Sequence, residues 1–95
     1  MEISIHSLLD GATRAIGTVA VIDVFRAFTT AAVALANGAS SIVMVRAVDE
    51  ALALREAGTG QICMGEVRGR APDGFDFGNS PFEISTVDFR GQTII

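Results

Sequence analysis

Residues 18–24 read Thr18-Val19-Ala20-Val21-Ile22-Asp23-Val24, and residues 26–38 read Arg26-Ala27-Phe28-Thr29-Thr30-Ala31-Ala32-Val33-Ala34-Leu35-Ala36-Asn37-Gly38. The first stretch is a nearly continuous apolar, β-branched run, the pattern of a strand covered on both faces. In the second, Phe28, Ala31, Ala32 and Leu35 fall at i, i+3, i+4 and i+7, which predicts a helix with one packed face. Asn37-Gly38 stops it, because glycine suits the left-handed position after a helix. A buried strand feeding a helix is the first half of a βαβ unit.

The alternation continues. Ser41-Ile42-Val43-Met44-Val45-Arg46 reads as a second buried strand, and Val48, Ala51 and Leu52 open a second helical stripe that Gly58 ends. Asp49 and Glu50 stand in its first turn, where the helix dipole favours acids. Residues 61–65 read as a third buried strand, and Ile3 and Ile5 as a short half-buried one. The expected fold is α/β, a three-layer sandwich with a mostly parallel sheet built from βαβ units with right-handed crossovers. Residues 66–79 lose all periodicity and carry three glycines, a proline and five charged residues, as a lid or binding loop would. Ser80-Pro81 reads as a helix start, with a short helix to about Ser85. Gln92-Thr93-Ile94-Ile95 reads as the opening of a further strand, so the 95 residues are expected to be one α/β domain, the N-terminal portion of a longer fold.

Composition narrows the function classes. A hydrophobic fraction of 49% supports a packed core, and no apolar run is long enough to cross a bilayer. The start of the sequence lacks the basic-then-apolar pattern of a secretory signal, so a cytoplasmic setting with no membrane partner is expected. A net charge of −4, with arginine as the sole basic type besides one histidine, argues against nucleic acid. The single Cys63 cannot form an internal disulfide, and its apolar neighbours mark it as a small buried hydrophobe.

Ligands of open parallel sheets bind beyond the carboxyl ends of the strands. Asp23 and Glu66 fall at two such ends, and Asp76 lies in the loop that leaves Glu66. The shared strand direction predicts that the three carboxylates meet at one sheet edge, an oxygen set suited to Mg²⁺. Taken singly, each is equally readable as a solvated loop acid. Arg26, at the start of the helix after Asp23, presents a guanidinium fork beside free backbone N–H groups, a combination that holds phosphate. Thr29 and Thr30 stand at i+3 and i+4 from it, and their hydroxyls either reach the anion or bond back to the preceding turn. Asn79 and Ser80 form a helix-capping segment that also faces an anion. Arg68 and Arg70 are equally readable as clamps on an acidic substrate or as solvated charges. Arg14, placed in a loop, and His6, alone at a strand end, are weaker candidates. Phe75 and Phe77 read as anchors for the loop. Asp23-Val24-Phe25 lacks the second acid of an Asp-x-Asp phosphatase, and no Gly-x-Gly-x-x-Gly or Walker loop is present.

Four segments together resemble one family. Val21-Ile22-Asp23-Val24-Phe25-Arg26-Ala27-Phe28-Thr29-Thr30 resembles the V-I-D-V-L-R-A-T-T-T signature of 2-phosphosulfolactate phosphatases, and Ala34 to Ala39 is similar to the family's next stretch. Gly65-Glu66 with Arg68-Gly69 is similar to G-E-R-G-G, with Val67 in place of an arginine. Gly74-Phe75-Asp76-Phe77-Gly78-Asn79-Ser80-Pro81 is similar to G-F-D-L-G-N-S-P. The resemblance implies a Mg²⁺-dependent hydrolase that converts 2-phosphosulfolactate to sulfolactate and phosphate, a step towards coenzyme M. It implies Asp23, Glu66 and Asp76 as metal-site or acid–base residues. Arg26, Thr29, Thr30, Asn79 and Ser80 would bind phosphate or orient the substrate, with Arg68 or Arg70 as supplementary charge. Phe28 departs from the pattern by replacing a threonine, and the family's later Thr-Thr-x-Asn-Gly-Thr segment does not occur here. The competing expectation is a non-catalytic anion-binding or assembly domain. An incomplete sheet leaves an edge free, so a homodimer is also expected.

Overall fold

The computed structural model of the chain describes residues 1–23 and 26–95. It is a small α/β arrangement of α1 (Leu8–Arg14), α2 (Ala27–Ala36), β1 (Ser41–Ile42), α3 (Val48–Glu56) and β2 (Thr93–Ile94), in that order. Both longer helices stop as the sequence requires. After α2, Gly38 adopts φ +98°. The Gly38 N–H then donates to the Leu35 carbonyl at 3.0 Å, and the Ala39 N–H to the Ala34 carbonyl at 3.1 Å. After α3, Gly58 does the same at φ +83°, with Gly58 N–H on Arg55 and Thr59 N–H on Leu54, each at 3.0 Å. These are Schellman closures, which satisfy the orphan carbonyls of the last turn.

The strands pair in parallel, as the alternation of periods implies. Ser41 faces Thr93 and Ile42 faces Ile94. The pairing runs on through Val43 N–H to the Ile94 carbonyl at 2.8 Å. On the other edge of β2, residues 61–64 bridge in parallel at Ile62–Ile94, and beyond them Met64 bridges Phe77 in parallel. Neighbouring side chains on a strand point to opposite faces. Ile94 accordingly packs with Ala34 of α2, Ile84 and Phe89, whereas Ile95 packs with Ala51 of α3 and Cys63. Phe77 meets Phe89 edge-on, ring centres 5.7 Å apart. Phe75 packs against the Cys63 cluster, so both phenylalanines pin the long loop to the core.

Several expectations need correction. Residues 18–23 form no strand, and Val19, Val21 and Ile22 are 52%, 71% and 84% exposed. A β-branched run favours a strand only where a neighbour supplies hydrogen bonds and cover. Among the described residues no backbone-to-backbone hydrogen bond reaches this stretch. Its expected end, residue 24, and residue 25, where the second acid of an Asp-x-Asp pattern would stand, lie outside the described residues. Residues 3 and 5 are likewise exposed and unpaired. Arg14 is not in a loop but in the last turn of α1, where it bonds Asp10 one turn back at 2.6 Å. The buried face of α2 is rotated from the expected one. Thr30 and Ala34 are buried, while Phe28 and Leu35 are 40% and 51% exposed. Thr30 tolerates the interior because its hydroxyl donates to the Arg26 carbonyl at 2.7 Å. Residues 81–86 form successive turns instead of a helix, since Ser85 N–H reaches Phe82 and Val87 N–H reaches Ile84, each three residues back.

Candidate active site

The carboxyl ends of the parallel segments open onto a groove of about 220 Å³. Ala27 and Ala31 of α2 form one wall, Val45 and Arg46 continue the β1 segment along it, and Glu66 and Asn79 complete its polar lining. This is where an open parallel sheet receives ligands.

At the start of α2 the sequence candidates meet through named bonds. Arg26 is the N-cap residue but makes no side-chain cap. Asp23 supplies the missing acceptor, its Oδ2 receiving the Phe28 N–H at 3.0 Å. The freed guanidinium of Arg26 donates from Nη2 to Glu66 Oε2 at 2.9 Å. Both partners are partly exposed, at 44% and 29%, so the pair is worth about 1 kcal/mol or less to stability. A guanidinium has five N–H donors, and one is spent here. Thr29 is exposed beside it, whereas Thr30 is turned inward and bonds back to the preceding turn.

Asp76 has a different partner set. Its Oδ2 accepts the Cys63 N–H at 2.9 Å and Arg55 Nη1 at 3.0 Å, while Arg55 Nη2 donates to the Gly74 carbonyl at 2.8 Å. The carboxylate thus ties the long loop to residue 63 and to α3. No sequence signal links it to Arg55, which stands 21 residues away. Ser80 Oγ accepts the Glu83 N–H at 3.3 Å, a local capping bond. Arg68 stands at the tip of a tight turn closed by the Val67–Arg70 pair, and it holds φ +51° with Gly69 at +80°. Both central residues are left-handed, as a type I′ turn demands. His6 is exposed, its Nε2 3.1 Å from Ser4 Oγ. Cys63 is fully buried, and burial pushes its thiol pKa up, with Asp76 adding to the rise and Arg55 opposing it.

Each of the three acids proposed for Mg²⁺ therefore has an oxygen already engaged, by Phe28 N–H, by Arg26, or by Arg55 and Cys63 N–H. Among the described residues no three His, Cys, Asp or Glu side chains converge as a metal-holding group. Each of the three acids nevertheless keeps its other carboxylate oxygen without a donor among the described residues, the kind of oxygen Mg²⁺ takes with water completing its shell.

The profile of the 2-phosphosulpholactate phosphatase family matches residues 4–95. The chain belongs to this family. Three relatives, each named probable 2-phosphosulfolactate phosphatase, agree with it. The Thermotoga petrophila protein is 46% identical over 78 residues, covering 82% of this chain and 34% of the relative. That of Deinococcus radiodurans is 41% identical over 75 residues, covering 79% and 31%. That of Bacillus subtilis (strain 168) is 40% identical over 75 residues, covering 79% and 33%. The chain spans about a third of the length of the relatives it matches.

Proposed function

We propose that this chain carries the phosphate-binding part of an enzyme that hydrolyses 2-phosphosulfolactate to sulfolactate and phosphate. The observation that supports it best is the Arg26–Glu66 pair at the start of α2, beside a groove at the carboxyl ends of parallel segments in a chain of this family. Arg26 holds the ester phosphate with the N–H groups that Glu66 does not take. Asp23 orients the first turn of α2 and so fixes where that guanidinium stands. Glu66 accepts a proton from the water that attacks phosphorus. The ester P–O bond breaks, and the departing oxygen takes a proton from solvent. Thr29 and Asn79 supply hydrogen bonds to the phosphate, while Ser80 and Arg68, next in sequence to the groove-lining Asn79 and Val67, add outer contacts to the substrate without lining the groove themselves. Thr30 and Asp76 support the site by packing and by pinning the loop.

The reading includes a Mg²⁺ requirement, with Asp23 and Glu66 as the carboxylates this chain offers near Arg26. When bound, the cation would neutralise charge building on the phosphoryl oxygens. The roles given to the side chains above do not depend on it. We also propose that the full architecture is a three-layer sandwich, supported by Ile94 and Ile95 meeting helices on opposite faces of β2, and that the protein is a homodimer, supported by the exposed apolar side chains of residues 19, 21 and 22. The lone cysteine supports a cytoplasmic setting and the net charge of −4 a role without nucleic acid. Among the described residues no helix is long and apolar enough to cross a membrane.

Phosphate release from 2-phosphosulfolactate, measured with Mg²⁺ and with EDTA, tests the activity. Release that stops in EDTA and in Glu66→Gln is the expected result. No release, with inorganic phosphate still raising the melting temperature, would instead favour a binding domain without catalysis.

A further inference from the structure

Four of the seven arginines are neutralised by carboxylates: Arg14 by Asp10, Arg26 by Glu66, Arg55 by Asp76 and Arg90 by Asp88. Arg46, Arg68 and Arg70 have no ion pair among the described residues. Arg68 and Arg70 belong to the tight turn at 67–70 and do not line the groove. Arg46 does line it, at the carboxyl end of the β1 segment and directly before the N-cap residue of α3. The groove's charged lining residues among those described are Arg46 and Glu66, and Glu66 is already bound to Arg26. Arg46 is therefore the one uncompensated charge on a wall otherwise built mostly of Ala, Val, Ile and Met.

We infer that Arg46 is a specificity residue that pairs with a second acidic group of the substrate, a carboxylate or sulfonate, while the phosphate sits at Arg26. The inference rests on the proposed phosphatase reading and deepens it. One arginine cannot match a phosphate and a second anion at once, whereas Arg46 in the groove can act beside Arg26, which reaches the groove through its bond to the lining residue Glu66. A bidentate guanidinium also favours planar carboxylate over solvent.

Binding of two matched probes to the intact chain tests this by calorimetry: 2-phospholactate, which has both phosphate and carboxylate, and isopropyl phosphate, which lacks the carboxylate. Wild type is expected to prefer 2-phospholactate. Arg46→Gln is expected to weaken 2-phospholactate by roughly tenfold or more, the loss of one charge-assisted pair, and isopropyl phosphate by less than about twofold. Arg46→Lys should recover part of the preference, and it decides the matter if Arg46→Gln loses its melting transition. Equal weakening of both probes, or of neither, overturns the inference. Arg26→Gln separates the two readings. It should weaken both probes, and if it weakens neither while Arg46→Gln still discriminates, the Arg26 reading falls and Arg46 stands. Failure of wild type to bind either probe overturns both.

Discussion

Gly38 and Gly58 close two helices in the same way but in different surroundings, and substituting each by alanine separates two physical costs. At Gly58, with φ +83°, an added Cβ meets no atom within 4 Å. Gly58→Ala therefore costs only the left-handed backbone strain, about 1–2 kcal/mol. At Gly38, with φ +98°, the same Cβ would lie 2.6 Å from Arg90 Cγ and 3.3 Å from the Arg90 backbone N and Cα. Cγ is close to the main chain, so relief requires moving residue 90 and not merely swinging its guanidinium. Residue 90 is tied in turn to Ala39 by an antiparallel bridge. An overpacking cost of about 1–3 kcal/mol thus adds to the strain, giving about 2–5 kcal/mol for Gly38→Ala. Urea unfolding followed by far-ultraviolet circular dichroism measures both, with stability differences taken at unchanged slope. In a melting experiment on a domain this size, each kcal/mol corresponds to about 4–8 °C. Equal losses at the two sites would show that the Gly38–Arg90 approach carries no energy. A larger loss at Gly58 would refute the assignment altogether.

Other outcomes rest on single contacts. Asp76→Ala should destabilise the fold by about 1–3 kcal/mol, because the Cys63 N–H loses its acceptor in a part-buried site. Arg55→Ala should cost less, since it removes a partly exposed ion pair and an exposed bond to the Gly74 carbonyl but leaves the Cys63 N–H its acceptor; a reversed order in thermal melts would show that the Arg55 contacts dominate. Asp88 should titrate at about 2 by carboxyl NMR, held low first by hydrogen bonds from the Arg90 side chain and backbone. Its folded pKa is depressed, so any stability it lends is present above the ordinary carboxylate range and fades as pH falls through 2. Arg90→Ala should move the midpoint back up, and an unmoved midpoint would refute the cause. Cys63 should react with a thiol reagent at pH 8 only as fast as the protein opens. Because burial raises its pKa, stability should decline as pH climbs past 9, where the unfolded thiol ionises first. Rapid labelling of the folded protein would contradict its burial.

What the sequence discloses is mostly local. Asn37-Gly38 and Gly58 mark helix ends because left-handed closure needs only the neighbouring residues. The parallel sense of the sheet is legible too, since strand–helix alternation permits little else. Residues 18–23 mislead because a strand depends on a distant neighbour that composition cannot supply. The pattern on α2 is real but rotated, as Thr30 enters the core by bonding its own preceding turn. At the site, Arg26 and Glu66 both stand out in the sequence, yet nothing there foretells their pairing across 40 residues. Arg46 reads in the sequence only as the last residue of a buried strand. An arginine closing such a strand is a signal that could have singled it out.

The place of β2 between two partners also bears on how the chain reaches its structure. Thr93 and Ile94 join β1 on one side and Ile62 on the other, and Ser41 and Thr93 stand 52 residues apart. Helices α2 and α3 carry their own stop signals and can form within microseconds, but the sheet has no centre until residues 93–94 join it. During synthesis the earlier strands keep open edges until residues 93–94 have emerged. Refolding rates should respond strongly to substitutions at Ile94 and little to changes on the outer face of α3, with the sheet as the slow event.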